Sequence, residues 1–169
     1  MKQEIFKDIS YDELRNIKIT FINMPPRAAA SPNTPAERPG ILSAIVRRYG
    51  REPYIIDFNG YRVKDKLAES KGLVNGRHLT YKEAEDMIVK HLDNVGEQDV
   101  FAFSGKITTL RWQEEVAKIV KRLQPDCCLV TGNGLATEIK RGLFTWIPEL
   151  DAIARSDRKS TRLNSSHVV

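Results

Sequence analysis

Two stretches of the chain have residue types suited to holding a ligand. Ser104, Gly105, Thr108 and Thr109 follow directly on the apolar run Val100–Phe103. Gly132-Asn133-Gly134 follows the apolar run Cys127–Thr131 in the same way. Small hydroxyl side chains near the start of a helix supply donors and acceptors for an anion or a polar ring. Glycines let a ligand approach the backbone with no Cβ in the way. Neither stretch completes a known phosphate fingerprint. No Gly-x4-Gly-Lys-Ser/Thr loop occurs, and three residues beyond Gly134 stands Thr137, not the third glycine of a dinucleotide site. A rim that could hold a ligand is as far as these residues alone go.

Nucleophile and metal signals are sparse. The only cysteines, Cys127 and Cys128, are adjacent. They cannot build a disulfide framework or a zinc site, and within a strand they read as buried free thiols. His78 lies in a long polar stretch and His91 on an amphipathic helix, and both read as structural. No catalytic and no metal-ligating residue is assigned. Trp112 and Trp146 fall at helical spacing with core residues and read as packing. Asp57 reads as a loop or helix cap. Lys118, Lys121 and Arg122 read as a solvated basic face, and Arg27 and Arg38 as solvated.

Composition bounds the class. The chain has 169 residues, 41% hydrophobic and 29% charged, which suits one globular domain with a real core. No apolar run approaches the roughly 18 residues of a membrane span. The opening Met1-Lys-Gln-Glu-Ile-Phe-Lys7 has no signal-peptide hydrophobic region, so a cytoplasmic location and no membrane partner are expected. The formal charge of +5 weakens as an argument for nucleic acid once the tail is set aside. Asp157–His167 matches, residue for residue, one reading frame of a common short-read sequencing adapter. Residues 157–169 are therefore expected to be non-native and add +2 of the charge, leaving +3.

The elements that must position the two stretches can be read in order. Residues 1–16 form a polar lead-in with a candidate capping box at Ser10 and Glu13. Ile17–Asn23 is a strand. Met24–Pro39 holds five prolines in sixteen residues, so it is a loop. Gly40–Tyr49 reads as a helix, apolar nearly all round and so expected to pack tightly on a sheet, with Gly50 ending it. Pro53–Asp57 is the second strand and Phe58–Leu79 a long loop. Thr80-Tyr-Lys-Glu83 is a capping box that opens a helix to about Asn94. The strand Val100–Phe103, a helix Leu110–Leu123, the strand Cys127–Thr131, a helix from the Gly132–Gly134 turn to Ile147, and the strand Leu150–Ala154 complete the series.

Strict alternation of strand and helix predicts an α/β fold, because parallel neighbours need a crossover. The expected architecture is a doubly wound five-stranded parallel sheet in the order 2-1-3-4-5, flavodoxin-like or Rossmann-like. Its switch point then lies between the first and third strands. Ser104–Thr109, Gly132–Leu135 and the loop opening at Asn23 converge there.

A resemblance extends this reading over residues 17–156. It is carried by the first strand running into Asn23-Met-Pro-Pro26, Pro39-Gly-Ile-Leu42 with Tyr49-Gly50, and the strand ending at Asp57. Asp99–Ser104 with Thr108-Thr109, Gln124-Pro-Asp126, Thr131-Gly-Asn-Gly134 with Ala136-Thr137, and Ile147-Pro-Glu-Leu-Asp151 complete it. Together these resemble the N-terminal cobalamin-binding domain of cobalamin-dependent radical SAM enzymes. The resemblance implies that the nucleotide tail of cobalamin enters at the carboxyl edge of the sheet. Ser104, with Gly105, Thr108 and Thr109, would line the tail pocket. Gly132, Asn133 and Gly134 would pass their backbone along the tail, and the loop from Pro25 and Pro26 would lie near the corrin face.

Cobalamin domains of the mutase type carry Asp-x-His-x-x-Gly, whose histidine ligates cobalt. That motif does not occur in this sequence, as in many radical SAM relatives. The resemblance then implies base-displaced cobalamin with a weakly ligated lower face, favouring Co(I) that can take a methyl cation from S-adenosylmethionine. The three thiolates of a [4Fe-4S] cluster cannot come from Cys127-Cys128. The chain is therefore expected to bind cofactor without catalysing a reaction alone, with a C-terminal radical SAM domain as its partner beyond residue 156. Two other readings stay open: a flavin or nucleotide-sugar site on the same fold, or a docking module that has no ligand.

Overall fold

The computed structural model describes residues 16–25, 36–155 and 167–168. Strand β1 is Ile19–Asn23, β2 Tyr54–Asp57, β3 Val100–Ser104, β4 Cys128–Gly132 and β5 Ala152–Arg155. Between them run helices α1 Glu37–Arg48, α2 Lys66–Ser70, α3 Tyr81–Val95, α4 Leu110–Leu123, α5 Gly134–Ile139 and α6 Leu143–Trp146. The five strands pair in parallel in the order β2-β1-β3-β4-β5, as the alternation predicts. The chain moves one way from β1 to β2 and the other way from β2 across β1 to β3. Right-handed crossovers then set α1 on one face of the sheet and the later helices on the other.

The two faces are packed very differently. In strand register, Thr20, Ile22, Phe101, Phe103, Leu129 and Thr131 share one face. All six are buried, and the apolar ones meet Ile88 of α3, Val116 and Val120 of α4 and Leu143 of α6 in one core cluster. The alternate residues Val100, Ala102, Cys128 and Val130 look to the α1 side and are only half-buried. The apolar helix expected to pack tightly does not do so. In α1 only Pro39 and Ser43 are buried, while Ile41, Leu42, Ile45 and Tyr49 are exposed. The helix also starts three residues earlier than the proline content suggested. Pro39 sits in its first turn, where no intrahelical N–H is needed.

Side-chain clamps hold the strand ends in register. Asp99, just before β3, accepts the Lys18 N–H at 2.7 Å beside β1. Asp151, just before β5, accepts the Leu129 N–H of β4 at 2.8 Å. Asp151 also pairs with Lys121 at 2.6 Å. The basic face of α4 is thus paired rather than simply solvated: Lys118 meets Glu114 and Glu115, and Arg122 meets Glu85. The Thr80–Glu83 capping box forms as expected. The Arg77 guanidinium, which bridges Glu83 and Asp65, helps hold the Glu83 carboxyl down to about 2. That ion pair, helix α2 and the Val63–Arg77 bridge give structure to the segment read as an open loop.

Three further expectations change. The last helix breaks at Lys140–Gly142, although Leu143 and Ile147 remain fully buried. Trp112 packs against Phe58 and Tyr81, but Trp146 is exposed. A two-residue strand, β6 His167–Val168, pairs antiparallel with β5, within the tail expected to lie outside the fold. The free N–H and C=O groups of an edge strand accept any extended segment within reach, whatever its side chains. The Ser10–Glu13 capping box lies outside the described residues. No described helix is long and apolar enough to cross a membrane.

Beneath α3, Thr20 Oγ1 donates to Gln98 Oε1 at 3.0 Å. Its only proton is thereby used, so His91 Nε2, 2.9 Å away, carries the hydrogen of that contact. Tyr54 meets the same imidazole edge-on. Burial holds His91 below its ordinary value of 6.5. The unfolded chain therefore takes up this proton first as pH falls. Its contribution is fully present above about 6.5 and is lost as pH drops through the window beneath. Urea melts at pH 7.5 and 5.5 are expected to show lower stability at pH 5.5, with a smaller pH difference in His91→Gln.

Candidate functional site

The carboxyl ends of β3 and β4 meet as a hydrogen-bonded rim. Ser104 ends β3 and Gly132 ends β4, paired in register. Asn133 follows with φ 82° and ψ −163°, an extended positive-φ conformation that residues other than glycine rarely adopt. From there its Nδ2 donates to Ser104 Oγ at 3.1 Å. Its carbonyl accepts from the Thr137 N–H at 2.9 Å and from the Thr137 hydroxyl at 3.0 Å, closing the turn into α5. Gly134 opens that turn outward and is exposed; a Cβ there would meet nothing within 4 Å. Gly132 packs more tightly, since a Cβ would lie 3.3 Å from the Ala154 carbonyl oxygen.

Gly105 and Thr109 are occupied from within. The Gly105 N–H donates to the Gly132 carbonyl at 3.1 Å, and its own carbonyl accepts from the Leu135 N–H at 3.4 Å. A Cβ on Gly105 would fall 2.3 Å from Gln113 Oε1, so glycine is there to admit the glutamine. Thr109 is buried. Its hydroxyl donates to the Lys106 carbonyl at 2.9 Å, and its oxygen accepts from the Lys106 N–H at 3.2 Å and Gln113 Nε2 at 3.0 Å. Its neighbour Thr108 is exposed on the turn Ile107–Thr109. The structure therefore brings Ser104, Gly132, Asn133 and Gly134 together at the surface, sets Thr108 close by in sequence, and turns Gly105 and Thr109 inward. Pro25 is buried two residues past β1, and Pro26 lies outside the described residues.

Gln113 is the residue that sequence reasoning missed. It is fully buried on α4; its Nε2 also reaches the Lys106 carbonyl at 3.3 Å, and its Oε1 accepts from Thr131 Oγ1 at 3.4 Å. The signal was available, because Gln113 interrupts the apolar spacing that continues at Val116 and Val120.

A second polar knot was also missed at the ends of β1 and β2. Asn23 Nδ2 donates to Asp57 Oδ1 at 2.8 Å. The same oxygen accepts the N–H groups of Asn59 and Gly60 at 3.0 and 3.1 Å. Asp57 is thus the cap it was read to be. Asn59 Oδ1 is buried and has no hydrogen-bond partner.

The histidines and cysteines lie elsewhere. His91 serves Thr20, and His78 Nδ1 lies 2.5 Å from Arg62 Nη1. Cys127 and Cys128 stand at the amino end of β4 as free cysteines, with burial pushing Cys127 up to about 11. Among the described residues no group of three or more His, Cys, Asp or Glu side chains could hold a metal ion. No protein-family model matches the chain, and comparison with curated proteins gives no match.

Gly105→Ala is expected to displace the Gln113 amide and destabilise the fold by about 1–3 kcal/mol. A lower urea midpoint at unchanged m-value would check it. A midpoint equal to that of the parent chain would show that Gln113 has room to yield.

Proposed function

We propose that this chain is a cobalamin-binding domain of the kind found at the N-terminus of cobalamin-dependent radical SAM enzymes. The observation that carries the reading is the Ser104–Asn133 hydrogen bond across the β3–β4 rim, at the switch-point edge of the sheet, beside the open Gly134. A ligand tail needs polar side chains and uncrowded backbone together, and this rim has both. Ser104 and Asn133 would hold the nucleotide tail, with Gly134 giving it close backbone approach and Thr108 at its flank.

The residues present suit cobalamin in a second respect. The corrin periphery carries primary amides, and Asn59 Oδ1 is an acceptor in want of an N–H donor. Bound cobalamin would supply a cobalt centre able to carry a methyl group. The chain's own residues bind and orient; none of them is assigned a proton transfer.

An iron–sulfur cluster does not fit the residues present. It needs three thiolates, and Cys127 and Cys128 stand at the end of β4 away from the rim. S-adenosylmethionine and cluster chemistry would belong to a further domain.

Reconstitution with hydroxocobalamin tests the reading. The protein fraction is expected to keep corrinoid absorbance after desalting, and a colourless fraction overturns the proposal. Retention of flavin in its place would favour the alternative ligand class. Ser104→Leu is expected to abolish corrinoid retention while leaving the circular dichroism spectrum intact. Unchanged retention would move the tail site away from Ser104.

A further inference from the structure

Helix α1 is turned inside out for a helix of an α/β domain. Its buried side is small, Pro39 and Ser43, and Ser43 Oγ finds no hydrogen-bond partner. Its outward side holds Ile41 at 62% exposure and Ile45 at 45%. Residues 37, 41, 44 and 48 are spaced 4, 3 and 4 apart, the spacing of a coiled-coil seam. They run as one line along the helix: Glu37, Ile41, Ala44, Arg48, all of them exposed. Arg47 is taken by Glu52, whereas Glu37 and Arg48 make no ion pair among the described residues.

A line of this kind is complementary to itself when reversed. An interface between identical copies about a two-fold axis must match each residue to another on the same surface. Laid antiparallel, Glu37 of one copy meets Arg48 of the second, and Ile41 meets Ala44 of the second, large against small. Each pairing occurs twice. Gly40 flanks the line without a side chain and lets the helices close, while Ile45 extends the apolar strip. Glu37 and Arg48 also suit the helix dipole at their own ends, which explains the charges but not the exposed isoleucines between them.

We propose that α1 is a self-association surface through which two copies of this chain pair as an antiparallel helix dimer. Three turns of helix give a small interface, so the dimer forms in a concentration-dependent way.

Sedimentation velocity of the full chain over a concentration series into the high micromolar range tests this. The parent chain is expected to pass from monomer to dimer. Glu37→Arg sets arginine against arginine in both pairings, and Arg48→Glu sets carboxylate against carboxylate. Each variant alone is expected to dimerise on the order of tenfold more weakly or worse. Mixed in equal amounts they regain opposite charges and are expected to form a heterodimer. Ile41→Glu is expected to remain monomeric. Circular dichroism confirms folding, and Arg48→Gln and Ile41→Ala replace any variant that fails that check. A parent chain that stays monomeric throughout overturns the proposal. So does a dimer indifferent to both charge reversals, or a mixture that does not recover. Binding of a monomeric parent chain to anionic phosphatidylglycerol vesicles would assign the surface to a membrane instead.

Discussion

The β3–β4 rim of this protein depends on one buried amide. Gln113 has no contact with solvent, and both ends of its carboxamide are used. A buried amide left unpaired costs on the order of 1–3 kcal/mol, so the groups around it are held to their positions. Through it α4 is tied to the Lys106 carbonyl, the Thr109 hydroxyl and the Thr131 hydroxyl on β4. Gly105 is glycine because the amide fills the space beside it. The rim residues Ser104 and Asn133 can form an open edge because the residues beneath them are locked.

The second constraint is the inequality of the two sheet faces. One carries Phe101, Phe103 and Leu129 into a cluster with α3, α4 and α6, and most of the apolar burial lies there. The other meets α1 through a narrow, partly polar side. Burial of apolar area is the main source of stability, so the first face does most of the stabilising. Exposed apolar surface on the second is then available for association rather than for folding.

Polar groups placed just before strands supply the register. Asp99 and Asp151 each reach across to a backbone N–H at or near the start of the neighbouring strand. A one-residue slip would turn every side chain to the opposite face and put the half-buried set into the core. Together with the alternation of large buried and small half-buried residues, these two carboxylates leave a single pairing of β1, β3, β4 and β5.

The order of strands and helices was legible because hydrophobic periodicity and punctuation are local. Val100–Phe103 and Leu110–Leu123 could be read almost residue by residue, as could the Thr80–Glu83 box. The position of Ser104, Gly132 and Asn133 at one edge followed from that order, since a parallel sheet gathers its strand ends. What these side chains touch was not legible. Thr108 and Thr109 are adjacent threonines with the same local signal, yet one is exposed and the other is buried against Gln113. Likewise, the apolar residues of α1 read as core, because a sequence records hydrophobicity and not which side of a helix a sheet will cover. By itself the sequence determined the architecture, through patterns that act within a few residues. The tertiary structure alone decided which polar atoms satisfy one another and which remain open, because those contacts join residues far apart in the chain.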